Sequence, residues 1–78
     1  MNKLVLKEAT QEYVIYWYQP QGEGEYGEIK IKSGDENAEV LSKPSSDEDG
    51  YFAHKACRKV KECFEKKNLP MNFIQAWY

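Results

Sequence analysis

The sequence predicts an α+β domain: a four-stranded antiparallel meander, one amphipathic helix packed on the sheet, and one C-terminal strand, in the order β-β-β-β-α-β. Three observations carry this expectation. Ile29 and Ile31 alternate with Glu28, Lys30 and Lys32, the period-two pattern of a strand with one face buried. Ala53, Ala56, Cys57, Val60, Cys63 and Phe64 recur at the spacing of one continuous helical stripe. Clusters of Gly, Pro, Ser, Asn and Asp separate these runs at the places where a meander needs turns.

Taken in order, residues 3–7 and 12–18 read as two strands joined by a short polar link, with β-branched and aromatic side chains concentrated in the second. Gln19 to Gly27 holds one Pro and three Gly and forms the loop to a third strand over 27–32. Ser33-Gly34-Asp35-Glu36-Asn37 is rich in turn formers, and a short strand follows over Ala38 to Ser42. The run Pro44-Ser45-Ser46-Asp47-Glu48-Asp49 reads as a helix start, with Ser45 or Ser46 accepting bonds from free backbone amides and an acid three residues on. His54, Lys55, Arg58, Lys59, Lys61, Glu62, Glu65 and Lys66 fall outside the apolar stripe. Asn68 tolerates the left-handed conformation of a helix cap and Pro70 forbids continuation, leaving Met71 to Tyr78 as the final strand.

Seventy-eight residues make one domain, 1–78, near the lower limit at which an unstapled chain buries enough apolar surface to fold. With 41% hydrophobic residues, 31% charged residues and eleven aromatics, the composition is that of a globular chain. The longest apolar run, Tyr13 to Tyr18, is far shorter than the about 20 residues a membrane-spanning helix needs. The amino terminus lacks the apolar stretch of an export signal. Cys57 and Cys63 lie six apart on a helix, about 9 Å along its axis and on different sides, too far for a disulfide. The expectation is a soluble, cytoplasmic protein with reduced thiols.

The net charge of −2 hides a polarity. Residues 33–50 carry one Lys against six acids, a net of −5, and residues 51–78 carry six bases against Glu62 and Glu65, a net of +4. Acids at a helix start and bases along its body complement the helix dipole.

Few residues offer chemistry. Gly22-Glu23-Gly24-Glu25-Tyr26-Gly27 matches the glycine pattern of a dinucleotide loop, but a strand rather than a helix follows it, and Glu23 and Glu25 repel phosphate. Ser45 to Gly50 resembles half a calcium loop, yet the twelfth position is Ala56, where a bidentate Glu is required. His54, Cys57 and Cys63 point in three directions from a helix, so one metal ion cannot gather them. No cofactor, no metal and no catalytic residue is expected. A thiol-dependent activity at Cys63, near Arg58 or Lys59, is the remaining enzymatic alternative.

A partner is suggested by the second strand, which is apolar on both faces: Tyr13, Ile15 and Trp17 on one, Val14, Tyr16 and Tyr18 on the other. One helix covers one face only. The last strand repeats the pattern, with Phe73, Gln75 and Trp77 alternating with Ile74, Ala76 and Tyr78. The sequence therefore points to a non-enzymatic protein-interaction or self-associating module, forming a homodimer or binding an unidentified protein through Tyr16, Tyr18, Trp77 and Tyr78. The alternative is a nucleic-acid-binding module using Lys55, Arg58, Lys59, Lys61 and Lys66 on the outer helix face, against which the pI near 5.4 and the acidic segment both count.

Overall fold

The computed structural model describes residues 1–77. Five strands, β1 (Asn2–Ala9), β2 (Tyr13–Pro20), β3 (Gly27–Lys32), β4 (Glu39–Ser42) and β5 (Asn72–Gln75), form one antiparallel sheet in the order β4-β3-β2-β1-β5. A 3-10 turn (Ser45–Asp47) leads into α1 (Tyr51–Glu65), which carries the chain from the β4 edge across one face to the β5 edge. The α+β architecture and the order of elements are those the sequence predicts. No helix among the described residues is long and apolar enough to cross a membrane.

The core lies between α1 and the even-numbered side of β1 and β2. Leu4, Val14, Tyr16, Tyr18, Ile29 and Ile31 meet Ala53, Ala56 and Val60, all essentially buried. Register explains the set: β2 pairs Val14 with Ile31 and Tyr16 with Ile29, so the unambiguous apolar face of β3 fixes which face of β2 turns inward. In β1 a bulge between Leu6 and Glu8 resets the alternation, so that Glu8 stands opposite Ile15 on the outer face instead of entering the core. At the paired position Tyr18↔Gly27, a Cβ on Gly27 would come within 2.3 Å of the Tyr18 ring. This last glycine of the dinucleotide-like pattern serves packing.

The helix starts later than the serines suggest. Gly50, in the left-handed region at φ 78°, is the cap residue, and neither Ser45 nor Ser46 caps α1. Acids do the work instead. Asp49 accepts from the Tyr51 amide at 3.1 Å, and the buried Asp47 carboxylate accepts from the Phe52 amide at 2.9 Å and the Ala53 amide at 2.8 Å. The Tyr18 hydroxyl donates to Asp47 at 2.8 Å, tying β2 to the helix start. At the far end the Asn68 amide donates to the Cys63 carbonyl and the Lys67 amide to that of Phe64, a Schellman closure. It places Lys67, at φ 56°, in the left-handed position expected of Asn68.

Candidate functional site

The two tyrosines expected to face a partner are core residues: Tyr16 and Tyr18 are 0% exposed beneath α1. Both hydroxyls are satisfied internally, Tyr16 donating to the Pro70 carbonyl at 2.6 Å and Tyr18 to Asp47, and burial pushes the Tyr16 phenol up to about 12. The outward face of β2 is the other set, Tyr13, Ile15 and Trp17, and each is half-buried by neighbours on the same face. The Lys7 ammonium stands 5.6 Å from the Trp17 ring centre and pairs with Glu28 at 2.6 Å, while Tyr26 meets Trp17 edge-on. Lys30 lies 4.6 Å over the Tyr13 ring. The Tyr13 hydroxyl bonds Glu8, which holds the phenol above its ordinary value. Long lysine stems thus cover much of this aromatic surface while their charges reach water.

The flanks of α1 differ more sharply. On the β5 side the space between helix and sheet is filled. Phe73 packs edge-on against Tyr16 at 5.9 Å, the Gln75 amide donates to the Lys55 carbonyl at 2.8 Å, and the Asn2 amide donates to the Phe52 carbonyl at 3.0 Å and to Gln75 at 3.1 Å. Trp77 closes the end against Tyr51 and Phe52, its indole N–H donating to the Tyr51 hydroxyl at 3.2 Å. Trp77 is therefore packed within the chain and half-buried, whereas Tyr78 lies outside the described residues.

On the β4 side a groove of about 1060 Å³ separates strand from helix. Val40 (38% exposed) and Leu41 (45%) form its strand wall, and Ala53 and Cys57 form its helix wall. Its rim carries Lys43, His54, Arg58 and Lys61, and among the described residues no carboxylate lines it. The helix residues on this flank at 50, 53 and 57 are Gly, Ala and Cys, one small side chain per turn, which is why α1 leaves the space open. Beneath it β4 is four residues long, exposed throughout and bulged against β3 between Glu28 and Ile29, and among the described residues no strand lies beyond it. Comparison with known proteins finds no family model, no curated protein and no solved structure that matches the chain.

The basic residues expected to form one phosphate-binding surface are divided. Lys59 and Lys66 both pair with Glu62, at 3.2 and 3.4 Å, and hold that carboxyl below its ordinary value. Lys55 sits over the Tyr51 and Trp77 rings on the sealed flank. Arg58 and Lys61 alone among the five turn to the groove. Cys63, the thiol the sequence favours for chemistry, is buried, and Cys57 lines the groove; burial raises the Cys57 thiol to about 11 and pushes Cys63 up as well. Both therefore remain protonated near neutral pH. Among the described residues no three His, Cys, Asp or Glu side chains converge.

A second hollow, about 770 Å³ between the far hairpin turns and the end of α1, is lined by Ile31, Phe64 and Leu69 together with Lys32, Asp35, Glu65 and Lys67. Its charges cancel, whereas those of the β4 groove share one sign. Sequence reading missed Val40, Leu41 and Lys43. The signal available for them was the non-alternating apolar pair in a short edge strand, followed by a base.

Proposed function

We propose that the protein is a non-enzymatic interaction module that binds another protein along the β4–α1 flank. The observation that carries this reading is the contrast between the two sides of α1: one closed by Phe73, Gln75 and Trp77, the other left as a groove walled by exposed Val40 and Leu41. Both outer strands, β4 and β5, have a free edge and exposed apolar side chains, Ile74 on β5 among them, but β4 is the one whose edge adjoins the groove beside α1. An exposed apolar wall beside a free strand edge is the arrangement by which one chain recruits another. The aromatic outer face supports the reading less, because Lys7 and Lys30 already cover it. Both cysteines are free, which supports a cytoplasmic setting.

Nucleic-acid binding through α1 is the weaker alternative, since its five bases point to different sides and three of them are engaged within the chain. The test is parallel affinity capture with the wild-type chain, Leu41→Asp and Trp17→Ala, with folding of each checked by circular dichroism. A protein retained by wild type and Trp17→Ala but lost with Leu41→Asp is the expected result. Loss with Trp17→Ala instead would move the binding surface to the outer sheet face.

A further inference from the structure

Resting on that reading, we infer that the occupant of the β4–α1 groove is an extended, acidic segment of another protein, added to the sheet as a strand beside β4 with carboxylates directed toward Lys43, Arg58 and Lys61.

The backbone sets the shape of the guest. β4 ends the sheet, so its backbone groups that point away from β3 have no strand neighbour, and the main-chain hydrogen bonds available there are those an extended peptide completes. A strand docked about 4.8 Å outside β4 would direct every second side chain toward the flank of α1. Those side chains would meet an apolar wall of Val40, Leu41 and Cys57 and, above it, the cationic rim.

The charge of the guest follows from the rim. Lys43, Arg58 and Lys61 contribute three positive charges, His54 stands among them, and among the described residues no carboxylate lines the groove. Lys43 is fixed at one end by donating to the Glu48 carbonyl at 3.0 Å. Alternate residues of a strand stand about 7 Å apart, while Arg58 and Lys61 are separated by about 4.5 Å along the helix axis. Either long side chain spans the difference. The opposite face of the same edge carries Glu39, which stands in register with Lys30 of β3, so the guest's other side chains face no excess of bases there.

The same charges argue against a second copy as occupant. An antiparallel β4–β4 junction has its two-fold axis perpendicular to the sheet, which leaves both helices on one face. The rims of the two copies, each with Arg58 and Lys61, would then approach across the junction with no acid between them. An acidic guest turns the same feature into attraction.

The experiment is selection of a displayed library of random twelve-residue peptides on three forms of the full chain: wild type, the charge-reversed Arg58→Glu/Lys61→Glu, and Leu41→Asp. Enriched peptides are then titrated into isotope-labelled wild type by NMR. The wild type should enrich peptides rich in Asp and Glu, with shifts confined to β4 and the facing flank of α1. The charge-reversed form should bind them at least about tenfold more weakly and select basic peptides instead. Peptides that shift the same residues with no acidic bias would overturn the acidic occupant and leave the groove as a protein-binding site. Enrichment of nothing, or of peptides that bind elsewhere, would overturn both. A mixed-sequence single-stranded oligonucleotide that shifts β4 and α1, or a concentration-dependent dimer in light scattering that Leu41→Asp abolishes, would reassign the groove to nucleic acid or to a second copy.

Discussion

One helix rests on one sheet, yet its two sides are finished in different ways. Toward β5 the side chains are large or doubly hydrogen-bonded: Phe52, Phe73 and Trp77 fill the space, and Asn2 and Gln75 bind carbonyls of the first helical turns. Toward β4 the helix presents Gly50, Ala53 and Cys57, and the strand beneath is short and exposed. The difference shows that closing a flank in so small a domain takes both bulk and capture of backbone carbonyls. A row of small residues leaves the other flank to whatever binds there.

The broadest way to break both sides at once is alkali, because Tyr16 supports the closed flank through Phe73 while Cys57 lines the open one. Burial lifts the Cys57 thiol from 9.0 to about 11 and the Tyr16 phenol from 10.0 to about 12. Their folded values lie above the unfolded ones, so the protonated forms contribute fully below pH 9.0 and 10.0, and that contribution fades as pH rises through about 11 and about 12. Circular dichroism followed from pH 8 upward should show stability declining above about pH 9 and cooperative unfolding before Tyr16 ionises. Retention of the native spectrum after full phenolate absorbance has developed would contradict this burial.

Next in size is Asp47→Ala, which removes the carboxylate anchoring the helix start. Bonds to a charged acceptor are worth about 1.5–3 kcal/mol each, so a loss of about 3 kcal/mol or more is expected from urea unfolding. That is a large fraction of the about 4–12 kcal/mol usual for this chain length. The paired substitutions Phe73→Ala and Leu41→Ala sharpen the contrast directly: the first should cost about 2–3 kcal/mol, the second less than about 0.5 kcal/mol. Equal costs would mean that the two flanks contribute alike to folding. The smallest effect is a gain. Lys67→Gly relieves a left-handed residue at the helix end and should raise stability by about 0.5–1 kcal/mol in the same assay.

The element order was legible because β3 and α1 have clean periods, two and 3.6, that admit one assignment each. The alternation in β2 was legible too, and its two sets of residues are the two sets observed on opposite faces. Which set lies under the helix was not, because both are apolar. Register with Ile29 and Ile31 decides it, and a six-residue excursion over 21–26 hides that register from the sequence. For this reason the sequence points Tyr16 and Tyr18 to a partner, whereas the structure buries them beneath α1. The helix start differs from the one Ser45 and Ser46 predict because Asp47 reaches forward from a 3-10 turn to amides five and six residues on, further than a serine cap reaches. The groove left the faintest trace, since it depends on what small residues leave unfilled.

The pairing of β5 with β1 has a kinetic consequence. Asn2 and Gln75, 73 positions apart, are hydrogen-bonded neighbours, whereas β1, β2, β3 and β4 are joined in turn by local hairpins. Local hairpins close quickly and distant pairings slowly. The β1–β5 pairing is therefore expected to close last, leaving β1 a bare edge until it does. While β5 is undocked, the β1 edge is added to the one at β4, which raises the exposure of a refolding chain to aggregation.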